Sequence, residues 1–264
     1  MNCTFIRTHS FRYQDVYCGD KKYPPVMSIL SCLCYHGPVS SHSYRGKFIT
    51  LEGLDGSGKS TQLEKLAVAL RAQGLTVVTT REPGGTAVGD KIRQILLDSA
   101  TSDLSPLAEL ALMFASRAQH IQEVILPALD KGSIVLCDRF TDSTEAYQGG
   151  GRKLGSKPVL ELHRILCDGL QPDLTILMDS DAAASVERAR RRNKDRSAAT
   201  QQKENDENRF EKENRAFFEL VHDTFMAIAA REPQRVVVVN ARGTVEETHA
   251  KILEAVRHKL KMKI

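Results

Sequence analysis

Short runs of apolar, mostly β-branched residues alternate with longer segments of helical pattern from Lys47 onward. Strands are predicted at residues 48–52, 76–80, 133–137, 174–178 and 235–239. Helices are predicted at residues 59–73, 89–97, 106–130, 157–168, 182–192, 211–230 and from Thr244 to the end. Strands that alternate with helices of this length pair in parallel, with right-handed crossovers. The pattern therefore predicts one doubly wound α/β domain with about five strands and helices on both faces.

Residues 1–45 differ from the rest of the chain. They are rich in Ser, Tyr, Cys and His, poor in acidic residues, and without helical or strand periodicity. Three interpretations remain open: a disordered tail, an organelle transit segment, or sequence upstream of a natural start such as Met27. The segment is neither strongly Arg-rich nor amphipathic, which weakens the transit interpretation. We expect a disordered or misplaced N-terminal extension before a domain at residues 46–264.

The overall composition narrows the class of protein. The 264 residues are 41% hydrophobic and 27% charged, which is typical of a soluble globular protein. No apolar run reaches the roughly 18 residues that a spanning helix needs. The net charge of +4 suits anionic ligands but is too small to indicate nucleic-acid binding. The six cysteines show no paired zinc-site spacing and demand no oxidising compartment, so we expect a cytoplasmic protein without nucleic-acid or membrane partners.

A glycine-rich segment, GLDGSGKST, follows the first predicted strand. Gly53, Gly58, Lys59 and Ser60 fit the phosphate-loop pattern G-x-x-x-x-G-K-[ST], with a strand before it and a helix after it. Glycines let successive N–H groups point at phosphate oxygens, and the helix adds the positive end of its dipole. We expect Lys59 to reach the β and γ phosphates and Ser60 to hold Mg²⁺.

This full pattern disfavours an ordinary glycine-rich β-turn. The residues predicted to bind a nucleoside triphosphate are Gly53, Leu54, Asp55, Gly56, Ser57, Gly58, Lys59, Ser60 and Thr61.

Two further motifs follow the second and third predicted strands. TREPGGT ends the second, and CDRFTDSTEAYQGGGR begins at the end of the third. Ligands of open parallel sheets bind beyond the carboxyl ends of the strands, so Arg81, Asp138 and Arg139 are expected beside the phosphate loop. Arg81 can grip a phosphate, Asp138 can hold water bound to Mg²⁺, and Arg139 can neutralise a second phosphate. Each motif alone is also compatible with surface arginines, a turn or an ion pair.

With all three motifs in place, the chain resembles the thymidylate kinase family over about residues 47–262. This family transfers a phosphoryl group from ATP to dTMP, giving dTDP and ADP on the way to dTTP. The resemblance implies a P-loop nucleoside monophosphate kinase fold, a five-stranded parallel sheet wrapped by helices, Mg²⁺ as a cofactor and a homodimer.

The resemblance also implies roles for single residues. Asp55 corresponds to an acidic residue near the dTMP sugar and phosphate, and so disfavours a ribose. Arg81 matches the arginine on the dTMP phosphate, and Arg93 a helix arginine on the same side. Arg117 resembles the residue that donates to thymine O4, and Arg139 is the arginine of the Asp-Arg motif. Ser143, Thr144, Tyr147 and Gln148 match the stretch that lines the base and sugar pocket.

One departure from the family pattern concerns the residue that stacks on the base. Family members commonly place a phenylalanine four residues before the base-reading arginine, where this chain has Met113, with Phe114 next. One residue turns a helical side chain by about 100°. Either Phe114 reaches the base by local adjustment, or Met113 packs on it through sulfur, or both are core residues. Phe114 is the residue we expect to contact the base.

A charged segment at about residues 188–209 has no apolar residues to bury and predicts a mobile lid. The phosphate loop carries Ser57 where some family members have a basic residue. The resemblance therefore implies the bacterial type, with a catalytic arginine in the lid. Arg192 is expected in this role, with Arg190 and Arg209 as alternatives. The expected catalytic set is Lys59, Arg139 and Arg192.

Three other interpretations stay open. The lid segment is also compatible with a solvated run of charge. The chain as a whole is compatible with a kinase for another nucleotide or a deoxynucleoside, or with a non-kinase P-loop ATPase. Arg81 and Arg139 argue against a nucleoside acceptor, which has no phosphate for them. An ATPase has no reason to keep REPGG and DRFTDST.

Overall fold

The computed structural model describes residues 16–18, 21–23, 44–101, 103–181, 183–191 and 209–261. The chain divides into one unit at Met1–His42 and another at Ser43–Ile264. In the first unit, strands β1 (Val16–Cys18) and β2 (Lys21–Tyr23) pair antiparallel, with Val16 opposite Tyr23. The sequence pattern does not predict this pair.

The second unit is built on a parallel sheet of five strands. These are β3 (Lys47–Glu52), β4 (Val77–Arg81), β5 (Ile134–Asp138), β6 (Leu174–Asp179) and β7 (Val236–Asn240). Their order is β4-β5-β3-β6-β7, and on central β3 Leu51 lies opposite Asp138 on one side and Ile176 on the other. The predicted five-stranded α/β fold is confirmed.

Helices connect the strands at the predicted places. They are α1 (Lys59–Ala72), α2 (Ala87–Leu97), α3 (Pro106–His120), α4 (Leu126–Asp130), α5 (Thr141–Thr144), α6 (Ser156–Leu166), α7 (residues 183–191), α8 (Arg215–Arg231) and α9 (Val245–Leu260). Helix α3 begins as its sequence indicates, because Ser105 accepts a hydrogen bond from Ala108 N at 3.3 Å and Pro106 needs no such bond.

Two wide π-helical turns modify this plan. Ile121–Ile125 joins α3 to α4, where the sequence predicts one continuous helix, and Glu145–Gly151 extends α5. Short 3₁₀ turns occupy Ser99–Thr101 and Phe210–Lys212. Among the helices that the structure describes, none is long and apolar enough to cross a membrane.

Helices cover both faces of the sheet. On one face, α1 and α9 pack against β3 and β6 through residues such as Leu66, Ile252 and Ile176. On the other face, α3 and α6 cover β3 and β5, and α8 covers β6 and β7. This two-sided burial explains why the strands are nearly continuous in apolar residues.

Two lysines of α9 lie against the ends of the edge strand β7. Lys251 Nζ donates to Asn240 O at 3.2 Å, at the carboxyl end. Lys259 Nζ donates to Pro233 O at 3.0 Å and Gln234 O at 3.2 Å, just before the strand begins. Between them Val238 is 41% exposed. Charged groups beside an open strand disfavour pairing with another chain.

The Leu66→Ala variant should lower the free energy of unfolding by about 2–5 kcal/mol, because Leu66 is fully buried between α1 and the sheet. Urea unfolding measures this loss. The matched control is Val68→Ala on the same helix, where the side chain is 66% exposed and the change should stay within about 0.5 kcal/mol. Equal losses in the two variants would contradict the assigned packing.

Candidate active site

The carboxyl ends of β3, β4 and β5 open into one cavity of about 520 Å³. Its wall is formed by the phosphate loop, the REPGG turn, α2, α3 and the segment after β5. The predicted site residues that line it are Asp55, Gly56, Gly58, Lys59, Ser60, Thr61, Arg81, Arg93, Arg117, Asp138, Arg139, Ser143, Thr144, Tyr147 and Gln148. The three sequence motifs therefore meet at one place.

The phosphate loop turns back on itself between β3 and α1. Gly53 and Gly58 have φ values of 131° and 93°, which only glycine adopts freely. Lys59 Nζ donates to Gly53 O at 3.1 Å and Leu54 O at 2.8 Å, so the lysine lies along the loop that precedes it. Burial, followed by the charge of Arg139, lowers the pKa of Lys59 to about 8.

The remaining loop residues are placed differently. Leu54 is buried in the core and anchors the loop from behind. Ser57 Oγ is buried and has no hydrogen-bond partner among the described residues.

Arg139 links the phosphate loop to the segment after β5. Its Nη2 donates to Asp55 Oδ1 at 2.7 Å and its Nη1 to Ser143 Oγ at 2.8 Å, while Tyr147 OH donates to Asp55 Oδ2 at 3.1 Å. Burial alone would raise the pKa of Asp55, but the charges of Arg139 and Lys59 outweigh it and lower the pKa. Asp55 is therefore a carboxylate that holds Arg139 beside the loop.

Ser60 and Asp138 form an oxygen-rich pair at the start of α1. Ser60 Oγ donates to Asp138 Oδ2 at 2.8 Å. A hydroxyl and a carboxylate are ligands that Mg²⁺ prefers, and Mg²⁺ usually keeps several waters as well. These two residues, next to Lys59 in the same cavity, fit a magnesium ion bound to a nucleotide.

Arg81 and Arg93 bring positive charge to the same cavity. Arg81 ends β4, and its Nη2 lies 3.6 Å from Asp90 Oδ1 while 59% of its side chain stays exposed. Arg93 on α2 donates from Nη1 to Pro83 O at 3.1 Å. A cavity that contains both arginines and Lys59 can hold two phosphate-bearing ligands together.

Arg117 of α3 is a buried cation of the cavity wall. Its Nε donates to Glu82 Oε2 at 2.6 Å and its Nη2 to Thr144 Oγ1 at 2.8 Å. The rings of Phe114 and Phe140 lie 4.9 Å and 5.1 Å from its Cζ. Its Nη1 is buried without a partner among the residues that the structure describes, so a donor is left for a ligand.

A family model described as thymidylate kinase matches residues 51–252, which is more than half of the chain. The chain belongs to the thymidylate kinase family. Members of this family are nucleoside monophosphate kinases, so the chain is a transferase of that class.

Individual relatives agree with this assignment. A thymidylate kinase of Pelobacter propionicus is 48% identical over 211 residues, which is 80% of this chain and 94% of the relative. One of Geobacter sp. is 47% identical over 215 residues, covering 81% and 93%. The crystal structure of thymidylate kinase from Ehrlichia chaffeensis superimposes with a TM-score of 0.62 at 31% identity, covering 82% of this chain and 99% of that one. The bacterial type expected from the sequence is confirmed.

Met113 and Phe114 were both candidates for contact with the base, and the structure places them differently. Met113 lines the cavity. Phe114 is fully buried in the core of α3, where its ring packs against the guanidinium of Arg117. The expectation that Phe114 faces the cavity is therefore corrected.

Of the three arginines considered for the lid of this thymidylate kinase family member, two lie within the described residues. Arg192 lies outside them. Arg190 Nη2 donates to Glu213 O at 3.3 Å. Arg209 is buried, with its Nη1 donating to Glu109 Oε2 at 2.7 Å and its Nε to Leu96 O at 2.6 Å. Arg209 therefore ties the end of the lid segment to α2 and α3 and does not line the cavity.

Sequence reasoning missed several residues of the site. Glu82, Pro83, Leu97, Phe140 and Phe210 also line the cavity. Glu82 stands inside the quoted motif TREPGGT, so its position was available as a signal. Phe210 follows the lid segment, and nothing local in the sequence indicates its approach.

Glu52, also missed, supports the site from beneath. It is fully buried at the end of β3 and accepts hydrogen bonds from Phe140 N at 2.7 Å and from the Ser143 hydroxyl. Burial, followed by the charge of Asp142, raises the pKa of Glu52 to about 7. A carboxylate at the end of an otherwise apolar strand is the signal that could have found it.

The Glu52→Gln variant should change how stability depends on pH. Because the pKa of Glu52 is about 7 in the folded protein against an ordinary value of 4.5, its protonation contributes stability that is complete below pH 4.5 and lost as the pH rises through about 7. Glutamine does not ionise, so the variant does not lose this stability. As the pH rises from about 5 to about 8, the free energy of unfolding of the variant minus that of the wild type should increase by up to about 3 kcal/mol. Urea unfolding over this range measures the difference, and parallel pH profiles would contradict it.

Proposed function

We propose that this protein transfers the γ-phosphoryl group of ATP to the phosphate of dTMP, giving dTDP and ADP for dTTP biosynthesis. The observation that carries the proposal is the shared cavity of Lys59, Arg81 and Arg139. The family assignment supports it independently.

ATP binds at the phosphate loop. Residues 53–61 wrap its phosphates, and Lys59 exchanges the carbonyls of Gly53 and Leu54 for the β and γ phosphate oxygens. Ser60 and Asp138 would hold Mg²⁺, which would supply charge neutralisation to the phosphates of ATP.

dTMP binds in the remainder of the cavity. Arg81 and Arg93 take its phosphate, and Arg117 donates to O4 of thymine. Met113 packs on the base through its sulfur, in the place that the sequence assigned to Phe114. Asp55 faces the sugar with Tyr147 and disfavours a ribose, while Ser143, Thr144 and Gln148 complete the base and sugar pocket.

Catalysis needs no covalent intermediate. The dTMP phosphate attacks the γ-phosphoryl group directly, so the protein aligns the two reactants and neutralises charge on the transferred group. Lys59 and Arg139 supply charge from the cavity floor, and Arg192 supplies it from the lid. Closure of the lid at about residues 188–209 excludes water and limits hydrolysis of ATP.

We also infer a homodimer in the cytoplasm. Helices α2, α3 and α6 pack side by side and leave apolar side chains exposed on their outer surface, among them Val88, Ile95, Leu107 and Ile165. A second copy that covers this surface removes it from water. Cys137 and Cys167 are both free and buried, which suits a reducing compartment.

The proposal has a direct test against its two rivals. A coupled assay with ATP is run with dTMP, dUMP, dCMP, thymidine and no acceptor. We expect ADP formation to depend on dTMP. Phosphorylation of thymidine without dTMP would support a nucleoside kinase, and acceptor-independent ADP formation would support an ATPase.

The Lys59→Ala variant should lower kcat/KM by at least about 100-fold, because it removes a charge aligned with the transferred group. Its melting temperature should change little, since Lys59 otherwise contacts loop carbonyls. The control is Lys65→Ala on the same helix, where the lysine makes a 3.5 Å contact with Glu246 and activity should be retained. Loss of activity in proportion to loss of stability would contradict a role in catalysis.

The Leu107→Glu variant should dissociate the homodimer, because it places a charge on an apolar surface whose leucine is 65% exposed in the single chain. Analytical ultracentrifugation measures the mass in solution. Val68→Glu, on a helix at the other face of the sheet and 66% exposed, should leave the dimer intact. A monomeric wild type, or dissociation in both variants, would refute the assigned surface.

A further inference from the structure

Glu82 lies in the cavity wall, and each of its two carboxylate oxygens has a hydrogen-bond partner. Arg117 Nε donates to its Oε2 at 2.6 Å, and His120 Nδ1 lies 2.8 Å from its Oε1. Glu82 is 3% exposed and lines the cavity beside Arg117. Two neighbours therefore hold this carboxylate in one orientation at the cavity wall.

His120 is fixed from its other side as well. It is fully buried, and its Nε2 lies 2.6 Å from Thr80 Oγ1. An ionised carboxylate only accepts, so we assign a proton to Nδ1, and Nε2 shares the second hydrogen bond with the Thr80 hydroxyl. Burial alone would raise the pKa of Glu82, but Arg117 and His120 outweigh it and lower the pKa, so Glu82 is ionised.

A metal ion does not explain this cluster. Glu82, His120 and Cys137 offer ligand atoms within 4.8 Å of one another. The guanidinium of Arg117 lies against Glu82, however, and a second positive charge beside it is opposed. A hydrogen-bonded series instead runs from Thr80 through His120 and Glu82 to Arg117.

We propose that Glu82 and His120 are positioning residues that make the cavity select a 4-carbonyl pyrimidine over a 4-amino pyrimidine. This inference rests on the proposed function. Thymine presents an acceptor at its 4-position, whereas cytosine presents an amino donor. Arg117 carries donors only, and Glu82 carries acceptors only. Held between Arg117 and His120, Glu82 has a fixed orientation and in turn fixes the Arg117 guanidinium, whose donors suit a 4-carbonyl oxygen. When His120 is lost, Glu82 and Arg117 are free to turn, and Oε1 gains the freedom to accept from the cytosine amino group.

Two replacements of His120 separate positioning from folding. In His120→Asn the amide nitrogen stands near the place of Nδ1 and keeps the bond to Glu82, whereas in His120→Gln it stands near Nε2 and keeps only the contact with Thr80. The measurement is the ratio of kcat/KM for dTMP to that for dCMP. We expect His120→Gln to lower this ratio about tenfold, the effect of one lost hydrogen bond to a charged group, and His120→Asn to keep it. KM for ATP should stay unchanged in both variants.

Further variants keep the test decisive. Thr80→Val loosens His120 without touching Glu82 and should lower the ratio in the same direction by a smaller factor. Glu145→Gln is the matched control, since Glu145 is an equally buried carboxylate paired with Arg231 at 2.7 Å that does not line the cavity. Its ratio should equal that of the wild type.

The outcomes distinguish this inference from the function beneath it. If the wild type phosphorylates dTMP and the dTMP-to-dCMP ratio in His120→Gln and Thr80→Val equals that of the wild type, the proposed function stands and this inference is overturned. Equal changes in His120→Asn, His120→Gln and Glu145→Gln also overturn it, because they indicate a general loss of packing. A wild type that does not phosphorylate dTMP overturns the proposed function and this inference with it.

Discussion

The rest of the site depends on the hydrogen bonds that connect the ends of strands β3 and β5 and the segments after them. Glu52 ends β3 and fixes Phe140 N and the Ser143 hydroxyl, while Arg139 reaches back from the end of β5 to Asp55 in the phosphate loop. Arg139 has a φ of 74°, which is unfavourable for a residue with a Cβ. The bonds on both sides of it hold that conformation. The loop for one ligand and the pocket for the other are thereby built as a single unit.

Buried charge in the site is balanced locally. Lys59, Arg117 and Arg139 are each buried or nearly so, and each is countered by a carboxylate or by loop carbonyls. Removing ions from water is costly unless such partners are present. The carboxylates fix the orientation of Arg117 and Arg139 before any substrate arrives, so that little reorganisation of these two accompanies the reaction.

Much of this arrangement follows from local sequence patterns. The five strands were predictable from apolar runs, and the phosphate loop from its glycine and lysine spacing, because both depend on neighbouring residues alone. Which of Met113 and Phe114 lines the cavity was not predictable, since it depends on how α3 packs against the rest of the core. The π-helical turn at Ile121–Ile125 likewise interrupts a helical pattern that continues in the sequence. The burial of Arg209 depends on Glu109, a hundred residues away, and no local pattern reports such a pair.

The lysines beside the edge strand β7 affect how the protein should respond to truncation at its C-terminal helix. Lys259 lies close to the end of α9 and bonds the carbonyls that precede β7. A truncation within the last turn of α9 would leave the core of the sheet in place but remove Lys259 from the edge strand β7. The product would remain folded and yet become prone to strand-to-strand polymerisation, so the terminal helix contributes to colloidal stability as well as to packing.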